Sequence, residues 1–139
     1  MKENIVFDHN DNIATCSIQY KDLWFTDMAR CHPDDMDFAS ERTGCYIAET
    51  RAVIRVLRYQ RDHEIKPTLA AFNHLYSNMK TSKHYNPKSY EAKMLRRQIR
   101  SLENELAAVN ADLAAERTSL SEYIKSKEKL YTKLRAKNQ

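Results

Sequence analysis

At 139 residues, with 42% hydrophobic and 30% charged side chains, the chain has the length of one domain or of a small domain with a long helical appendage. Its 23 basic and 19 acidic residues leave a net charge of +4, which permits phosphate-bearing partners without demanding them. A single glycine excludes glycine-rich phosphate loops and dinucleotide fingerprints and points to a mostly helical protein.

The expected fold class is α+β, mostly α: a small N-terminal antiparallel β-meander, two middle helices and a long C-terminal coiled-coil helix. The first twenty residues include Glu3, Asp8 and Asp11 and no apolar segment, so no signal peptide is expected. Residues 5–8 and 13–20 read as strands around the turn-rich His9-Asn10-Asp11-Asn12. A third strand, 23–31, follows Lys21-Asp22, with Leu23, Phe25 and Ala29 on one face and Trp24 and Met28 on the other. His32-Pro33-Asp34-Asp35 ends the sheet, and Asp35 or Asp37 can cap a helix from about Phe38 to His63. Its apolar side carries Tyr46, Ile47, Val53, Ile54 and Leu57, while Gly44, Ala48 and Ala52 form a small-residue line suited to close backbone approach. Lys66-Pro67 starts a second helix reaching about Met79, with Leu69, Phe72, Leu75, Tyr76 and Met79 as its buried set.

After a polar loop, Asn86-Pro87 opens a helix continuing to about Ala136, roughly 70–75 Å long at 1.5 Å per residue. It carries a heptad repeat with Ile99, Leu106, Leu113, Leu120, Lys127 and Leu134 at a. Leu95, Leu102, Val109, Glu116, Tyr123 and Leu130 fall at d. Such a stripe is buried only against other helices, most simply those of another copy. This divides the chain into a small α+β domain, 1–86, and an oligomerisation helix, 87–139. No stretch is long and apolar enough for a membrane span. Cys16, Cys31 and Cys45, odd in number and without C-x-x-C spacing, read as reduced thiols of a cytoplasmic protein.

Three groups of residues could carry chemistry. Cys31-His32-Pro33-Asp34-Asp35 holds ligand-type side chains, but adjacent residues of an extended chain point apart, so a strand end and helix cap is the expected role. Arg51, Arg55 and Arg58 share one helix face and can grip phosphate or carboxylate, or pair with acids such as Glu49 and Asp62. The strongest candidate is the start of the long helix, with Lys93, Arg96, Arg97 and Arg100. Lys80, Lys83, His84 and Lys88 precede it, with Tyr76, Tyr85 and Tyr90 between. Positive charge interleaved with aromatic rings suits nucleotides, because rings stack on bases while arginines hold phosphates. The lysines of the tail, from Lys125 to Lys137, keep a helix end soluble. No catalytic triad, carboxylate pair or metal set can be assembled, so neither catalysis nor a cofactor is expected.

The order of parts, with an arginine pair spaced like Arg96 and Arg100, resembles the phage-encoded Thoeris anti-defence sponges of the first described type. Ala29-Arg30-Cys31-His32-Pro33-Asp34-Asp35, followed by Gly44 and Arg51-Ala52, is similar to small phage proteins. The resemblance implies a homo-oligomer, commonly a hexamer, that sequesters a cyclic ADP-ribose isomer made by immune enzymes of the host; some members also bind cyclic trinucleotides. It implies that Arg96 and Arg100 hold ligand phosphates, with Phe72, Tyr76 or Asn78 near the base or ribose. The heptad seam to Leu134 is longer than that family requires. Two other readings fit the same residues: a coiled-coil protein-interaction module, and a basic nucleic-acid-binding dimer using Arg51, Arg55, Arg58 and the Arg96 group.

Overall fold

The structure, a computed structural model, describes residues 4–32, 35 and 40–137. The expected helix start at Phe38, the capping residue Asp37, and Pro33 and Asp34 lie outside the described residues. The chain packs as two compact units. One is formed by Met1–Val56 with Leu113–Gln139, the other by Leu57–Asp112.

In the first unit, β1 (Asn4–Asn10), β2 (Ile13–Tyr20) and β3 (Leu23–Arg30) form an antiparallel sheet in the order β1-β2-β3. Asn10 pairs with Ile13 and Tyr20 with Leu23, so each hairpin turns in two residues. β1 therefore runs two residues further than expected, and Asp11 and Lys21 take positive φ of 55° and 56° to make the tight turns. The period-two pattern holds: Ala14, Cys16 and Ile18 of β2 and Ala29 of β3 are buried, whereas Trp24 and Met28 are about half exposed on the other face.

α1 (Glu41–Tyr59) covers the buried face. Ser40 starts it, its hydroxyl accepting from the Thr43 amide at 3.1 Å and meeting the Thr43 hydroxyl at 2.9 Å. Asp35, expected as a cap, instead pairs with Arg135. The small-residue line does what its composition allows. A Cβ built on Gly44 would lie 3.0 Å from that of Ala14, and Ala48 and Ala52 are wholly buried. With Val53, Ile54, Val56 and Leu113 they complete this unit's core.

α1 does not stop before Pro67. It passes through a π-helical segment, Gln60–Ile65, directly into α2 (Lys66–Lys80). Proline has no amide hydrogen and its ring collides with the carbonyl four residues back, so widening the turn keeps the helix running. The Thr68 hydroxyl adds a bond to the Glu64 carbonyl at 2.7 Å. α2 has no buried residue. Leu75, expected inside, is 53% exposed, and Leu69, Phe72, Tyr76 and Met79 are half-buried.

α3 (Tyr90–Lys137) begins three residues later than the Asn86-Pro87 signal implies. Ser89 caps it, its hydroxyl accepting from the Ala92 amide at 3.2 Å, while Asn86 closes a preceding turn onto the Lys88 amide at 3.0 Å. The heptad stripe is largely shielded within the single chain, with Leu95, Ile99, Leu102, Leu106 and Val109 half-buried and Leu113 buried. Near its end the stripe drifts. Leu130, at d, is 44% exposed, and its neighbour Tyr131 is 9% exposed. A straight helix turns every 3.6 residues, so a strict seven-residue stripe rotates away from its target.

Candidate functional site

The second unit joins two of the expected site residues directly. Arg96, on the second turn of α3, donates from Nη1 to the Tyr76 hydroxyl of α2 at 3.2 Å and from Nη2 to the Pro87 carbonyl at 2.6 Å. The Tyr76 and Tyr85 hydroxyls lie 3.0 Å apart, with the rings edge-on at 6.5 Å. Lys80 sits 4.8 Å over the Tyr76 ring. The loop between the helices is held by its own polar residues. Thr81 closes the end of α2 by bonding the Asn78 carbonyl at 2.7 Å, and the Tyr85 amide reaches the Ser82 carbonyl at 3.2 Å.

This arrangement is electrostatically one-sided. The Tyr85 hydroxyl, then Arg96 and Lys80, hold the Tyr76 phenol below the usual tyrosine range, while the bond to Tyr76 pushes Tyr85 up. Between Lys80 and Arg100 stand seven basic side chains and one acid, Glu91. The bonds to Tyr76 and Pro87, with the Tyr85 hydroxyl beside them, hold the Arg96 guanidinium in place. Arg100 lies one turn further along α3 and is exposed, as are Lys83 and His84 in the loop. Phe72 is half-buried one turn before Tyr76, and Asn78 lies 3.3 Å from the His74 ring. Chemically, the cluster offers fixed and mobile cations beside two phenols, a set that suits a phosphate and an aromatic ring.

Arg51 and Arg55 belong to the other unit, where they hold β3 to α1. Arg51 donates to the Met28 carbonyl and Arg55 to the Asp27 carboxylate, each at 2.8 Å. Burial raises the Asp27 carboxyl, but the bond from Arg55, the Met28 amide and the charges of Arg55 and Arg51 bring it below its ordinary value. Arg58 is exposed on α1. The sequence names Tyr76, Tyr85 and Arg96 in this cluster but gives no sign of the Pro87 carbonyl as a partner. The meeting of Tyr85 with Tyr76 is not legible there, because it depends on loop closure.

The first unit contains a cavity of about 410 Å³ beside Cys31, His32 and Asp35, closed on one side by Thr43 and Tyr131. Burial, with Asp35 adding, pushes the Cys31 thiol up, the opposite of an activated nucleophile. Burial also raises the Tyr131 phenol. Among the described residues no three His, Cys, Asp or Glu side chains converge to hold a metal ion. The chain matches no family model, no curated protein and no solved structure.

Proposed function

We propose that this chain is a non-enzymatic binding protein that sequesters a small phosphate-bearing nucleotide at the Tyr76–Tyr85–Arg96 cluster. In keeping with the sponge resemblance, the ligand is a cyclic ADP-ribose isomer or a cyclic oligonucleotide, captured in the cytoplasm of an infected bacterium. The observation that carries the reading is Arg96, a guanidinium anchored by Tyr76 and Pro87 within a stretch of seven basic side chains and one acid. A guanidinium fixed in advance loses less freedom on binding an anion than a mobile lysine does. Arg100 supplies a second phosphate contact, and Tyr76 and Tyr85 the apolar surface for a base.

Calorimetric titration of the full chain with each nucleotide class tests this. Arg96→Ala and Arg100→Ala each weaken binding about tenfold or more, equivalent to about 1.4 kcal/mol, with helical content unchanged. Undiminished affinity in both variants removes the site assignment. Tight binding of long single strands, weakening steeply with salt, moves the reading to nucleic acid.

A further inference from the structure

We infer that the π-helical turn Gln60–Ile65 acts as a one-residue insertion in the helix, and that this extra residue is what turns Tyr76 toward Arg96. A turn closed by bonds to the fifth residue back holds one residue more than a turn of α-helix, and here the Lys66 amide bonds the Arg61 carbonyl in that way. Everything after it is rotated by about 100° from where a regular helix would carry it. The exposure pattern records that rotation. Carried on from the buried Leu57 at about 3.6 residues per turn, the line of a regular helix reaches Glu64, Thr68, Ala71 and Leu75. Of these, Thr68, Ala71 and Leu75 are exposed. The shielded line is Ile65, Leu69, Phe72 and Tyr76, each one position later.

Pro67 explains why the extra residue sits there. In an uninterrupted α-helix its ring would meet the His63 carbonyl, whereas after the wide turn it falls in the first turn of α2, where a missing amide hydrogen costs nothing. Without the slip, Leu75 would stand where Tyr76 stands, and a leucine cannot accept the bond that Arg96 donates to the Tyr76 hydroxyl at 3.2 Å. The wide turn and Pro67 are thus positioning elements of the cluster, acting through the angle at which Tyr76 meets Arg96. The bond between those two side chains is independent of any ligand, and only the effect on affinity rests on the nucleotide reading above.

Two deletions in the full-length chain test this, read by NMR titration of the Tyr76 ring, circular dichroism and nucleotide calorimetry. Deleting Asp62, which loses only exposed pairs with Arg61 and Lys66, together with Pro67→Ala regularises the helix and keeps the phase of α2. Tyr76 then still titrates below the usual tyrosine range, and affinity stays within about twofold of the native chain. Restoring the proline in that chain lowers its melting temperature, whereas Pro67→Ala alone changes the native chain little. Deleting Ala71, inside α2, rotates Tyr76 away: its titration returns to the ordinary range and affinity falls about tenfold or more. Loss of the Tyr76 signature in the Asp62 deletion, or failure of that chain to fold, overturns the proposal. So does retention of the signature after deleting Ala71, or an effect of Pro67→Ala that is the same with and without Asp62. If no chain binds a nucleotide, the ligand reading fails alone, and the Tyr76 titration still decides the role of the turn.

Discussion

Asp27 gives the fold a pH signature. Its folded-state value lies below the ordinary 3.8, so its ion pair with Arg55 stabilises the fold above that value. The contribution disappears as pH falls through the lowered folded-state value. The pair is partly exposed, so about 0.2–1 kcal/mol is its expected size. Asp27→Asn loses that amount at pH 7 and nothing further in acid, as urea unfolding midpoints at pH 7 and pH 3 will report. Gly44 makes a second test at this scale. A methyl group there gains about 0.5–1 kcal/mol of helix propensity but meets the Ala14 Cβ at 3.0 Å, a contact no rotamer can relieve. Gly44→Ala is therefore net destabilising, by about 1 kcal/mol. Transferring the space, Ala14→Gly with Gly44→Ala, recovers part of the loss in thermal melts; no recovery would mean that the contact is not what matters.

Elements differ in how plainly the sequence announces them. The β-meander is legible because two-residue turns at Asp11-Asn12 and Lys21-Asp22 separate segments of period two. The joint at Pro67 is legible only by half. Proline marks a disturbance, but whether a helix ends or widens there is decided by how the turn before it repacks, here as the π-helical Gln60–Ile65. The start of α3 was misplaced because Asn-Pro is a strong boundary signal, and the Ser89 hydroxyl, three residues on, holds the cap. Ser89→Ala should cost about 1 kcal/mol, read as a lowered melting temperature, whereas Asn86→Ala should cost less. The heptads were legible as a stripe, but periodicity names no target. Leu113 and Tyr131 are buried within the single chain. The candidate site was legible in its components, Tyr76 and Arg96, and illegible in its bond, which joins residues twenty apart.

For the whole molecule, the net charge of +4 conceals a segregation. Residues 80–100 hold seven basic side chains and one acid, so the remainder of the chain is net acidic. That concentration predicts a shallow salt dependence for a small nucleotide. The slope of log affinity against log salt reports the number of phosphates neutralised, one or two here, and a slope near those of DNA-binding proteins would contradict a small ligand. Composition alone could not reveal this, because it averages over the two units. Nor could a division of the sequence at residue 86 reveal that the boundaries of the compact units fall in the last turn of α1 and the middle of α3.

That interleaving also sets a schedule. Residues Leu57–Asp112 are contiguous, so the second unit has all its material as soon as that stretch has left the ribosome. The sheet and the first turns of α1 are made earlier but must wait, because Leu113 and Tyr131 complete their core and Arg135 reaches Asp35 across 100 positions. Closing so long a loop is slow, and until then the buried face of β2 lacks part of its cover. The sheet is thus made before it can mature, and in that interval its uncovered face leaves a nascent chain open to aggregation.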